Sequence, residues 1–146
     1  MQSHDFDIIT VGGGLGGSTL AKSMAESGAH VLVVEREGEF GDRIRGEWVA
    51  PWGVAEAQQI GVYKTLLERC ATETPYVLTF GMGSVRDLRS TTPQKLPALT
   101  FHHPAMQEAV IRAAEEAGAG ILRGVAIRKV QPGEPLGSDS RTEWSI

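Results

Sequence analysis

The sequence predicts an α/β fold built on a parallel sheet, and three observations near its start carry that expectation. A short, mostly apolar run from Phe6 to Val11 stops at three glycines. Helical spacing follows from Leu15 to Ser27, with Leu20, Ala21, Met24 and Ala25 forming one apolar face. His30 to Val34 then supplies four consecutive aliphatics ended by Glu35. Unbroken aliphatic runs of this length are strands of a sheet covered on both faces. Strand, glycine turn, helix and strand within about 30 residues make a βαβ unit. Gly28 stands where a C′ glycine closes a helix.

Later elements are read in order. Glu37 to Arg45 is polar and Gly-containing, hence a loop, and Trp48 to Arg69 is helical in two pieces broken around Gly61. Tyr76 to Phe80 and Leu96 to Phe101 read as strands, separated by a polar segment, Arg86 to Lys95, with turn chemistry. Pro104 marks an N1 position for a helix from Ala105 to Ala117, with Met106, Ala109, Val110 and Ala113 on one face and Gly118 after it. Ile121-Leu122 is a short third strand, and Val125 to Val130 alternates as an antiparallel strand would. Pro132 to Ser140 is turn-rich, with Arg141 to Ile146 as the returning strand of a hairpin. The expectation is therefore an incomplete parallel sheet plus the start of a β-meander.

With 146 residues, the chain suffices for one compact domain with its own core. Its 18 glycines exceed the roughly 7% of average usage, and they cluster at turns rather than spreading as in a disordered chain. A net charge of −4 leaves no basic footprint for nucleic acid. The single cysteine, Cys70, excludes an internal disulfide and a cysteine-based zinc site, and reads as a packing residue. The first residues lack the positive head and apolar run of a signal peptide, and the longest apolar stretches are strand-sized. A cytoplasmic protein without a membrane span is expected. His4 and His30 read as structural, and Trp48 and Trp52 as core.

The glycines carry the chemistry. Gly12-Gly13-Gly14-Leu15-Gly16-Gly17 satisfies G-x-G-x-x-G directly after a buried strand and at the start of a helix. Gly12 permits the tight turn, Gly14 lets the backbone approach a pyrophosphate, and Gly17 lets helix and strand pack closely. The helix start turns free N–H groups and the positive dipole end toward phosphate, with the amides of Leu15 and Gly16 as direct donors. Glu35, 18 residues after Gly17, ends the second strand, where a carboxylate accepts from the ribose hydroxyls and repels a 2′-phosphate. These are the requirements of a Rossmann-type dinucleotide site that prefers FAD or NAD to NADP.

Glu35-Arg36, then Arg43-Ile44-Arg45-Gly46, then a helix ending at Gly61, resembles the class A FAD-dependent monooxygenases, the p-hydroxybenzoate hydroxylase-like family. The stretch from His103 to Gly118, followed by Gly124 and Ile127, is similar to that family's second FAD-contacting helix and the strand after it. The resemblance implies a glutathione-reductase/p-hydroxybenzoate-hydroxylase-like FAD domain, with FAD as cofactor, NAD(P)H as reductant of the parent enzyme and hydroxylation of a small molecule. It places Arg36 against the adenine end, Arg45 at the flavin side of FAD and Ile127 near the adenine. Arg45 also reads as a solvated loop residue. His103 stands where the family has Arg or Gln facing the ribityl and phosphate region. A histidine donates a hydrogen bond there but is fully charged only below its ordinary pKa, near 6.5, and reads equally as a capping or surface residue.

The resemblance also implies that the family's later Gly-Asp pair and most of the substrate domain lie in a remainder of the enzyme missing from this chain, which by itself would be inactive. Residues 5–36 are expected to be the dinucleotide unit, about 75–100 an excursion into a substrate domain, and 101–131 the return. No general base or substrate-binding residue stands out, because the flavin carries the oxygen chemistry. Other FAD enzymes of similar start, a prenyl reductase or a flavin-dependent halogenase, and a non-catalytic dinucleotide-binding module remain open readings.

Overall fold

The structure, a computed structural model, describes residues 5–42, 47–79, 81, 83–132 and 144–145. β1 (Ile8–Val11), α1 (Leu15–Glu26) and β2 (Val31–Glu35) form the expected βαβ unit, with β1 and β2 parallel from Ile8↔Val31 to Val11↔Val34. β3 (Trp48–Val49), α2 (Pro51–Gln59), α3 (Tyr63–Arg69), β4 (Ala71–Thr74), β5 (Tyr76–Thr79), β6 (Ser84–Asp87), α4 (Leu88–Thr91) and β7 (Ala98–Phe101) follow. α5 (His103–Glu116) leads into β8 (Gly120–Arg123), and β9 (Gln131–Pro132) and β10 (Trp144–Ser145) close the order. β8 joins β2 in parallel, giving a sheet ordered β1-β2-β8. β7 is the centre of a second sheet, antiparallel to β3 on one side and β4 on the other.

Two apolar clusters hold these layers. Ala21 of α1, Val31 and Val33 of β2, and Ile111 and Ala114 of α5 form one, which seats both helices on the parallel sheet. Val54, Leu66, Leu99, Met106 and Val110 form the other, joining α2, α3 and β7 to the opposite side of α5. α5 therefore serves both cores, and its buried residues include every one of Met106, Ala109, Val110 and Ala113.

Several elements differ from the sequence reading. Leu20 is 49% exposed, whereas Ser18, Thr19 and Ala21 are the buried residues of α1. Small side chains let the helix lie close to the sheet, so the face is set by closeness rather than by apolar bulk. Trp48-Val49 is a strand, not helix, and Trp48 and Trp52 face solvent. Arg86–Lys95 contains the end of β6 and the short helix α4, capped when the Asp87 carboxylate accepts from the Arg89 N–H at 3.0 Å. α5 starts at His103, two residues before the expected Ala105 and one before Pro104. Val125–Val130 forms no strand, and the antiparallel pair is instead β9 with β10. Cys70 packs at the edge of the second cluster, where burial pushes its thiol pKa up.

Side chains tie the second sheet to its helices. The Tyr63 hydroxyl donates to Glu73 on β4, and Arg89 of α4 donates to the other Glu73 oxygen at 2.6 Å. Burial and then the Glu73 carboxylate push the Tyr63 pKa up to about 12. An unfolded tyrosine ionises near 10. The contribution is thus complete below pH 10 and is lost as pH rises toward 12. Urea unfolding should show the wild type losing up to about 1 kcal/mol relative to Tyr63→Phe between about pH 10 and about pH 12, after allowance for solvent screening. A pH-independent gap would remove Tyr63 from the linkage.

The close seat of α1 gives a second test. A Cβ on Gly17 would lie 2.0 Å from the Gly12 carbonyl oxygen, a backbone atom that cannot move aside cheaply. Gly17→Ala should cost about 3 kcal/mol and lower the thermal midpoint visibly by circular dichroism. Gly16→Ala, whose Cβ meets nothing within 4 Å, should leave the midpoint unchanged or raised.

Candidate functional site

The glycine turn sits at the C-terminal end of the parallel sheet, where open α/β sheets bind ligands. Gly12 takes φ +102°, a conformation suited to glycine, and its N–H donates to the Val34 carbonyl at 2.8 Å. Gly14 is the N-cap of α1, in extended conformation, and no side chain caps the helix. The first turn holds no acidic residue, so the dipole end is left for an external anion. Ideal Cβ atoms on Gly14 and Gly16 meet nothing within 4 Å, which leaves the backbone open to close approach by a phosphate. Gly12 thus makes the turn and Gly17 the close packing that the spacing demands, while Gly14 leaves its backbone open.

Glu35 is 7% exposed, and its carboxylate is anchored at both oxygens. Oε2 accepts from the Gly13 N–H at 2.6 Å, and Oε1 accepts from the Glu37 N–H at 2.8 Å. Charge-assisted bonds of this kind compensate a buried carboxylate. Each oxygen keeps acceptor capacity, so the anchored group can still receive ribose hydroxyls. Gly13 is constrained as well: a Cβ there would meet Ile111 Cδ1 at 2.7 Å and the Glu35 side chain at 3.3 Å.

A cavity of about 460 Å³ opens beside this turn, and Gly12, Glu35, Arg36, His103 and Ile127 all contribute to its lining. Residues far apart in sequence are thereby brought to one place. Gly14, Leu15 and Gly16 follow directly at the start of α1, while Gly17 is turned inward against the strand. Arg36 is exposed and pairs with Glu37 at 3.1 Å. The His103 N–H donates to the Glu47 carboxylate at 3.2 Å, and its buried Nδ1 finds no hydrogen-bond partner among the described residues. Arg45 lies outside the described residues.

Several contributors escaped the sequence reading, among them Phe40, Gln107 and Gly13. Phe40 and Gln107 line the cavity, and Gly13 fits beneath Glu35. Gln107 stands four residues after His103 on α5, a spacing that puts both on one helix face. Gly13 occupies a free position of the motif, so spacing gave no signal. Phe40 is a lone aromatic in a polar loop.

These features fit a dinucleotide: an open helix start for the pyrophosphate, an anchored carboxylate for the ribose, and a partly apolar cavity beyond it. The comparisons with known proteins agree. Residues 7–140 match the family described as FAD dependent oxidoreductase. Squalene monooxygenase of Eremothecium gossypii is 31% identical over 135 residues, covering 82% of this chain and 27% of that protein. Squalene monooxygenase SE2 of Panax ginseng is 36% identical over 96 residues, covering 66% of this chain and 16% of that protein. The chain thus spans about a quarter or less of the length of these curated relatives. Among solved structures, p-nitrophenol 4-monooxygenase from Pseudomonas putida superposes with a TM-score of 0.73 at 17% identity, over 92% of this chain and 35% of that one. Anhydrotetracycline hydroxylase from Streptomyces rimosus gives 0.69 at 25% identity, over 86% and 26%. With its match to the family extending from β1 past β9, the chain belongs to the FAD-dependent oxidoreductases.

Proposed function

We propose that this chain holds the adenosine and pyrophosphate part of FAD for an NAD(P)H-dependent monooxygenase acting on a small organic substrate. One observation carries the reading: an uncapped helix start with open glycines directly follows Gly12, which lines one cavity together with a buried, doubly anchored Glu35. Gly14, Leu15 and Gly16 bind the pyrophosphate through backbone N–H groups, and Glu35 takes the ribose hydroxyls. Arg36 and Ile127 flank the adenine end, and His103 offers a ring nitrogen toward the ribityl and phosphate region. Arg45 is assigned to the flavin side through the resemblance alone. When bound, FAD supplies the electron-transfer and oxygen chemistry. The residues described here bind it, orient it and keep a 2′-phosphate away.

The named relatives support the monooxygenase reading, since they include squalene monooxygenases, a p-nitrophenol 4-monooxygenase and an anhydrotetracycline hydroxylase. Residues 5–36 act as the dinucleotide unit, about 75–100 as an excursion toward a substrate domain, and 101–131 as the return. Among the described residues, no helix is long and apolar enough to cross a membrane.

Gly14→Ser separates binding from folding. Serine is a better N-cap than glycine, so stability should hold or rise by a few tenths of a kcal/mol. The same hydroxyl occupies the N–H groups and the space needed by phosphate, so FAD affinity in a flavin fluorescence titration should fall about tenfold or more. Undiminished affinity would refute the pyrophosphate assignment. Glu35→Ala should behave differently, weakening FAD several-fold and also lowering the thermal midpoint, because Gly13 and Glu37 lose their acceptor. An unchanged FAD affinity in that variant would remove the ribose role from Glu35.

A further inference from the structure

The loop after β2 contains one aromatic residue, Phe40, among polar and glycine neighbours. Its ring lines the same cavity as Glu35 and Ile127, and it also packs at the margin of the cluster built on Val31, Val33 and Ile111. The Arg123 guanidinium carbon lies 4.5 Å from the ring centroid, within cation–π range. Arg123 is itself held, since its Nη1 donates to Glu108 of α5 at 2.9 Å, while Glu108 accepts a further bond from Arg112 at 2.8 Å. Arg123 Nε is buried without an acceptor among the described residues, and the aromatic face lies against the guanidinium that Glu108 pairs.

Register places this assembly beside Glu35. Arg123 stands directly opposite Glu35 in the β2–β8 pairing. A ligand whose phosphates sit at the glycine turn and whose ribose reaches Glu35 therefore leads next to the region held by Arg123. Val125 and Ile127 supply aliphatic surface to the same cavity. We propose that Phe40 is the aromatic surface on which the adenine ring packs, and that Arg123, fixed by Glu108, is the positioning residue that holds it there. The inference rests on the reading of the cavity as the adenosine site, and it adds the means by which that site selects a purine. Base–aromatic stacking tolerates many bases but grows with the area of the ring system, so a purine gains more than a pyrimidine.

The test compares ADP with UDP on the full chain by isothermal titration, since both carry the same ribose and diphosphate. Wild type should prefer ADP, and Phe40→Leu, which keeps apolar bulk, should weaken ADP about tenfold and UDP about twofold or less. Arg123→Met should reduce the ADP preference in part, and should have no further effect when added to Phe40→Leu. A structural role alone would weaken both nucleotides by the same factor, and that result, or no change for either, overturns the assignment. Glu35→Ala is the control for the underlying reading and should weaken both nucleotides together. If it does so while Phe40→Leu leaves the ADP/UDP ratio unchanged, the stacking proposal fails and the adenosine site stands. A wild type that binds neither nucleotide overturns both.

Discussion

The bond from the Gly13 N–H to the buried Glu35 carboxylate is the contact on which the site depends. It fastens the turn after β1 to the end of β2, and the same carboxylate fastens the start of the next loop through the Glu37 N–H. A carboxylate with water on one side could not fix two backbone segments; a buried one with two charge-assisted donors can. The geometry explains why the middle glycine of the triplet is glycine, for a side chain there would displace Ile111 and Glu35 together. Under the proposed function, ribose recognition and turn geometry are two duties of this one group.

Closeness organises the rest of the layer. Gly17 brings α1 onto the strand, Ser18 is fully buried with its hydroxyl donating to the Gly13 carbonyl at 2.9 Å, and Ala21 fills the seat against the sheet. α5 covers the neighbouring region and continues onto the second cluster, so the helix that carries His103 and Gln107 is positioned by both cores. The walls of the cavity inherit that rigidity where they are helix or strand. Where they are loop, as at Phe40, a cross-strand arginine supplies the anchor.

Much of this was readable in the sequence, and the failures have physical causes. The βαβ unit was legible because unbroken aliphatic runs and three adjacent glycines admit few other folds. The buried stripe of α5 was legible because its period was clean. Leu20 misled because apolar character predicts burial only where bulk is wanted, and α1 wanted small residues. β3 and β4 are short, and their pairing with β7 depends on partners distant in sequence, which local patterning does not encode, whereas β6 pairs with the neighbouring β5 in a short-range hairpin. Glu35 was recognisable as a strand-end acid, but its two backbone donors were not, since they arise from the turn's three-dimensional path. Phe40 was invisible for the same reason: the partner that gives it meaning lies 83 residues later, at Arg123.

The cavity has a consequence for how the chain behaves as its ligand comes and goes. Its lining draws on the β1 turn, the loop after β2, the first turn of α5 and the segment after β8, with the Val125 N–H reaching back to the Glu35 carbonyl at 3.1 Å. A molecule that touches all four contacts segments that otherwise communicate mainly through the sheet. Binding free energy then becomes free energy of folding, by the ordinary logarithmic dependence on ligand concentration over dissociation constant. Saturation should suppress local opening of the two loops far more than that of β2, which is already buried. Under the proposed function, the dinucleotide is in this sense a late-added structural element whose concentration contributes to the stability of the fold.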